Sequence, residues 1–192
     1  GLCLVGSEMC IRDRSRPDDF QIKEAAELIK KSKKPIIISG GGVFYSDATE
    51  ELSAFAQKHN IPVTQTVMGY STMKKDHSHY LGVIGGLGGK AANNLSKETD
   101  TAIAIGTKLA DFTTGSWANF ENPDFKLVSI NAARFDASKH MAQAIVGDAK
   151  VSLMELSQAL GNWKADDNWY KKSRVELKAV SYTHLRAHET ES

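Results

Sequence analysis

Lys33-Lys34-Pro35-Ile36-Ile37-Ile38-Ser39-Gly40-Gly41-Gly42 is the stretch on which the fold turns. Pro35 breaks whatever precedes it, and three successive isoleucines leave no polar position on either side of an extended chain. Such a strand is buried on both faces, as in a parallel sheet. The three glycines after it permit positive φ and a close approach of backbone to a ligand or a neighbouring domain. A tight strand-to-helix turn is the other reading of the same glycines.

Upstream, Pro17-Asp18-Asp19 predicts a helix start, with Asp18 or Asp19 accepting the free amide protons of the first turn. Ile22, Ala25, Ala26 and Ile29 follow at helical spacing. The basic run from Lys30 to Lys34 sits at that helix's negative end and reads as solvated. Downstream, the pattern predicts a helix over 47–59 with Leu52, Phe55 and Ala56 inward, then a strand over 61–66. Residues 80–84 make a poor strand, 82–89 a glycine-rich turn and 91–98 a helix. Strands are expected at 101–106, 125–130 and 144–146, and a helix at 149–160 with Val151, Met154, Leu156 and Leu160 mostly on one face. The polar segment 166–178, with Trp163 and Trp169 as isolated anchors, reads as a linker helix leaving the domain. Strand, glycine turn and helix in repetition predict an α/β fold, a doubly wound parallel sheet of Rossmann-like type. Ligands of such sheets lie beyond the carboxyl ends of the strands. Here those ends carry Gly40 to Gly42, Met68-Gly69, Gly106-Thr107-Lys108 and Asn131.

Of the 192 residues, 41% are hydrophobic and 24% charged, and the net charge is +1. That balance suits a globular protein and gives no electrostatic reason to expect nucleic acid or an anionic membrane as partner. No apolar run approaches the length of a membrane helix.

The two ends read differently from the rest. Met9-Cys10-Ile11-Arg12-Asp13 can be written in codons whose reverse complement encodes Val180-Ser181-Tyr182-Thr183-His184. The pairing continues outward to Gly1 and Ser192 and breaks at Arg14 against Ala179, so one inverted DNA repeat can encode 13 residues at each end. Residues 1–14 and 179–192 are therefore expected to be non-native, resembling a translated sequencing adapter, and to pack poorly. Cys3 and Cys10 fall in the repeat and imply no disulfide. The native insert is then expected to be 15–178, a piece of a longer protein, with a domain over 15–162 and a linker helix over 163–178.

Gly86-Leu87-Gly88-Gly89-Lys90-Ala91 fits the loose dinucleotide pattern G-x-G-x-x-A, but it follows a poor strand and no acidic residue ends the next one. A structural turn is the plainer reading. It is not a P-loop, because Ile84 and Ala91 stand where a glycine and a hydroxyl are needed. His77 and His79 read as a solvated loop without further metal ligands. His140 with Asp136 or Asp111 lacks a nucleophile, and Asp111 or a following threonine is expected to cap a helix.

The order of segments resembles the central domain of thiamine diphosphate-dependent enzymes of the acetolactate synthase type. The family pattern K-K-P, apolar strand, G-G-G is matched by Lys33 through Gly42. Its L-G-x-x-G-x-x-G turn is matched by Leu81-Gly82-Val83-Ile84-Gly85-Gly86-Leu87-Gly88. Its A-D, strand, G-x-R-F/L-x-D is matched by Thr99-Asp100 through Gly106-Thr107-Lys108-Leu109-Ala110-Asp111. The blocks 41–46, 111–114 and 120–123 are most similar to the branch that hydrolyses a carbon–carbon bond of a cyclic dione in inositol catabolism. An acetolactate synthase-like enzyme is the alternative within the class, and a nucleotide-binding or structural module the alternative outside it. The resemblance implies thiamine diphosphate and Mg2+ in the parent enzyme, bound by missing flanking domains of the same chain, so that no catalytic residue or metal ligand lies here and the fragment alone is inactive. It implies a cytoplasmic homo-oligomer that needs neither nucleic acid nor membrane. The residues assigned to the family's nucleotide cleft are Gly41, Gly42, Gly88, Thr107, Lys108 and Asn131. Flavin-binding members carry histidine, arginine and aspartate where Leu87, Lys108 and Asn131 stand, so flavin is not expected.

Overall fold

The computed structural model describes residues 14–189; residues 1–13 and the side chains of 180–192, where poor packing was expected, lie outside that description. Helix α1 (Asp19–Lys30) starts where Asp18 accepts the amide proton of Phe20 at 2.8 Å. Strand β1 (Pro35–Ser39) follows, then a short helix α2 (Gly41–Tyr45), α3 (Thr49–His59) and β2 (Val63–Gln65). Next come β3 (Tyr80–Val83), α4 (Lys90–Glu98), β4 (Thr101–Ile105) and α5 (Asp111–Thr114). The chain continues through β5 (Lys126–Asn131), α6 (Arg134–Ala137), β6 (Gln143–Val146), α7 (Ala149–Leu160) and α8 (Asp167–Glu189).

Six strands form one sheet in the order β3-β2-β1-β4-β5-β6, and every pairing is parallel. The expected doubly wound fold is the observed one. β1 and β4 are the inner pair, in register from Pro35 opposite Thr101 to Ser39 opposite Ile105. Alternate side chains of β1 serve two cores. Ile37 joins Ile103, Ile105, Val128 and Ile145 beneath α1, α3 and α7, while Ile36 and Ile38 join Ala102, Ala104 and Leu127 on the opposite face, with Leu95 and Trp169. An all-apolar strand is what two covered faces require.

Several local expectations are corrected. The triple glycine does not simply turn: Gly41 and Gly42 already belong to α2. The poor strand at 80–84 is β3, paired with β2 through a register shift at Val63 and Thr64. On α7, Leu153 is buried and Met154 is exposed. No side chain caps α5, which begins after Ala110. The segment expected to leave the domain instead docks on it, because Trp169 is buried and its Nε1 donates to the carbonyl of Pro35 at 2.8 Å. His79 is buried rather than solvated, stacked on Tyr170 with centroids 4.6 Å apart.

Candidate functional site

The order of connections reverses between β1 and β4, and an open parallel sheet leaves a crevice at that point, outside the carboxyl ends of its strands. A cleft of roughly 850 Å³ occupies that position. Its walls come from the segments after β1 (Gly41, Gly42, Tyr45, Ser46), after β4 (Gly106, Thr107, Lys108) and after β5 (Asn131, Asp136). Five of the six residues assigned from sequence therefore line one cavity. Gly88 does not; it lies in the turn between β3 and α4, where its amide donates to Gly85 at 2.8 Å.

The glycines at the floor answer to the chain itself. The amide of Gly40 donates to Ile105 at 2.8 Å, that of Gly42 to Gly106 at 2.9 Å and that of Gly106 to Ile130 at 2.8 Å. A Cβ on Gly42 would stand 2.6 Å from the Cα of Gly106, and one on Gly40 would collide with the Gly106 carbonyl. Gly106 itself has φ +61°. The close approach that these glycines permit is thus made by the turn after β4, and it knits β1, β4 and β5 together at their carboxyl ends.

The glycine-rich turn after β3 behaves likewise. Gly86 donates to the carbonyl of Phe112 at 2.9 Å, and a Cβ on Gly85 would strike the same carbonyl. Asn93 closes the turn by accepting from Gly85 N at 2.9 Å and donating to Gly85 O at 3.1 Å. At Gly85 and Gly86 the loop that resembles a pyrophosphate cradle packs against α5 of its own chain.

The polar groups of the cleft are few. Asn131 donates to the Thr107 carbonyl at 3.3 Å and accepts from Ala133 N at 3.0 Å, so it fixes the turn after β4 against the turn after β5. Asp136 pairs with Lys139 at 2.7 Å. Lys108 stands exposed on the rim. Around it lie large apolar side chains in contact with water: Tyr45 is 82% exposed, Met68 76% and Phe112 55%. Such a rim fits an apolar ligand surface or a packed neighbour. Met68 stands at a strand end already named from sequence; Tyr45 and Phe112 were missed, although they fall within the blocks 41–46 and 111–114. His140, suspected of acid–base work, is committed elsewhere: it stacks on Trp117 with centroids 4.4 Å apart.

Among the described residues, no three His, Cys, Asp or Glu side chains stand together to hold a metal ion. The carboxylate among the residues lining the cleft, Asp136, is already paired with Lys139.

With this geometry the family can be read. Residues 22–156 match the family described as thiamine pyrophosphate enzyme, central domain. The chain belongs to that family. This central domain is 45% identical over 140 residues to the 3D-(3,5/4)-trihydroxycyclohexane-1,2-dione hydrolase of Clostridium perfringens strain 13, covering 73% of this chain and 22% of that protein. It is 42% identical over 148 residues to the protein of that name numbered 1 in a strain of Bacillus cereus, covering 77% and 23%. It is 39% identical over 184 residues to the hydrolase of that name from Bacillus licheniformis, covering 89% and 29%. The central domain thus spans between 22% and 29% of the length of these curated relatives.

Proposed function

We propose that this domain is the central part of a thiamine diphosphate-dependent enzyme that opens the ring of trihydroxycyclohexane-1,2-dione in myo-inositol catabolism. The observation that carries the proposal is the likeness to three hydrolases of that name across most of this chain. The blocks 41–46 and 111–114, which pointed to the same branch in the sequence, are the walls of the cleft.

In this reading the domain is a scaffold. Thiamine diphosphate and Mg2+ are bound by flanking domains of the parent chain, where the cofactor supplies the carbanion chemistry. The residues here hold the carboxyl edge of the sheet rigid: Gly42 against Gly106, Asn131 across Thr107 and Ala133. Gly41, Gly42, Thr107, Lys108 and Asn131 are its ligand-facing edge; flavin is not its ligand, because Leu87 and Asn131 lack the polar contacts flavin-binding members provide. The parent is a cytoplasmic homo-oligomer.

The test is an assay of the full-length parent with thiamine diphosphate and Mg2+, offered either the cyclic dione or pyruvate. Consumption of the dione is the expected result. Acetolactate from pyruvate without dione consumption, or a stoichiometric flavin in the purified enzyme, would overturn it.

A further inference from the structure

The inverted repeat ends at Asp13, and Arg14, grouped above with the poorly packing end, is instead built into the domain. Its guanidinium donates to both carboxylate oxygens of Asp148, at 3.0 and 3.1 Å, and to the carbonyl of Ser46. Its side chain is 23% exposed and that of Asp148 15%. These partners belong to two neighbouring segments of the cleft lining, close enough for one nitrogen of Arg14, Nη1, to reach both. Ser46 follows α2 and lines one wall; Gly147 and Ala149, which flank Asp148, line the other.

The residues after Arg14 follow the same path. Asp148 N donates to the Ser15 carbonyl at 2.8 Å. Gly147 admits the chain there: a Cβ on it would stand 3.0 Å from both Pro17 N and Ser15 O. Asp148 also caps α7, accepting from Lys150 N at 3.0 Å and Val151 N at 3.3 Å. One carboxylate therefore ends a helix and receives the incoming segment.

A second tie spans the same walls. Lys150 donates to the Asp47 carbonyl at 3.0 Å and pairs with Glu51 at 3.1 Å. Lys150 runs directly from wall to wall, whereas Arg14 brings the incoming chain into the link.

We propose that residues 14–17 form a strap, pinned by Arg14, which couples the segment entering the domain to the spacing of the cleft walls. Displacing the strap loosens both walls, and anything that spreads the walls strains the strap. Such coupling is reciprocal between the two places. A charge-assisted hydrogen bond shielded from water is strong enough to hold two loops together.

Hydrogen exchange on the whole chain tests this, comparing wild type, Arg14→Ala and Arg14→Lys. The reporters are the amide of Asp148, bonded to Ser15, and the amides of Ser46 to Ala48 on the neighbouring wall. Arg14→Ala is expected to speed exchange on both walls on the order of ten-fold, with Ile37 and Ile103 in the central strands unchanged. All three bonds come from one nitrogen, so Arg14→Lys, whose ammonium carries three donors, is expected to restore part of the protection on both walls. Acceleration on one wall alone in Arg14→Ala, or on neither, would overturn the proposal. So would uniform acceleration that includes Ile37 and Ile103, since Arg14 would then support the whole fold instead of a strap.

Discussion

At Gly42 a single missing methyl group decides how two turns meet. A Cβ there would face the Gly106 backbone, not a pliant side-chain end. Gly42→Ala is expected to destabilise the fold by about 2 kcal/mol or more, since backbone must shift to relieve overpacking; urea unfolding measures it. Gly89 is the contrast. It caps α4 with extended backbone and no side-chain bond, and nothing lies within 4 Å of its would-be Cβ. Gly89→Ser is expected to stabilise by a few tenths of a kcal/mol. Histidine protonation acts at the same scale. Burial, then the neighbouring charges of His77 and Arg174, lower the His79 pKa to about 4. Its Nε2–H donates to Asn60 Oδ1 at 3.3 Å, and Ser78 Oγ serves Nδ1 at 2.9 Å, so the neutral ring is the bonded form. The unfolded chain takes up a proton near pH 6.5 and the folded one does not. Stability is thus full above pH 6.5 and is lost as pH falls toward 4, by up to roughly 3 kcal/mol. His59 and His77 are shifted downward by burial too and add to the same slope. His79→Phe, which keeps a ring against Tyr170, should show a shallower dependence of the urea midpoint between pH 7 and 4.5; an unchanged slope would count against this assignment.

Among the elements, α8 is the one whose docking the sequence concealed. Trp169 fills the lower core beside Ile36 and Ala102. Lys172 reaches Glu98 at 2.5 Å and Arg174 the Tyr80 carbonyl at 2.9 Å. Trp169→Ala is expected to cost about 3–5 kcal/mol, read as a lowered urea midpoint, and Trp169→Phe about 1 kcal/mol for the lost bond to Pro35. A cost near zero for the alanine variant would mean that α8 is only tethered. β1 and β4 were legible because a run of Ile and Ala with no polar break leaves one choice of environment. β3 was not, since Gly82 interrupts a short edge strand whose identity comes from pairing with β2. Two tryptophans in a polar segment look like stray anchors until the partners are known: Pro35 for one, and for Trp163 the ring of His59, whose Nδ1 donates to the Trp163 carbonyl at 2.8 Å. At the cleft, Gly41, Gly42, Thr107, Lys108 and Asn131 were legible as strand ends. Gly88 lies outside the cleft lining, in a turn that closes on the end of β3, which a glycine pattern alone does not reveal.

For the molecule as a whole, the described residues offer walls and a floor but no metal cluster. The 192-residue chain is expected to give no saturable heat with thiamine diphosphate and Mg2+ in calorimetry and no turnover of the dione. Micromolar binding would refute the assignment of the cofactor to other domains. The all-parallel topology has a consequence in time as well as in space. No strand pairs with a neighbour through a tight turn, and the inner pair sets Pro35 against Thr101, with β2, β3 and intervening helices in the chain between them. Each ladder must await closure of a long loop, and the entropy of closure precedes the reward of contact. The turn at Gly42 and Gly106, which completes only after β1 and β4 have met, therefore forms late, and its mutation should speed unfolding more than it slows folding. Until that moment β1 can pair only with β2 and its other edge stays open, so a nascent chain is most exposed to self-association while it waits for β4 to be synthesised.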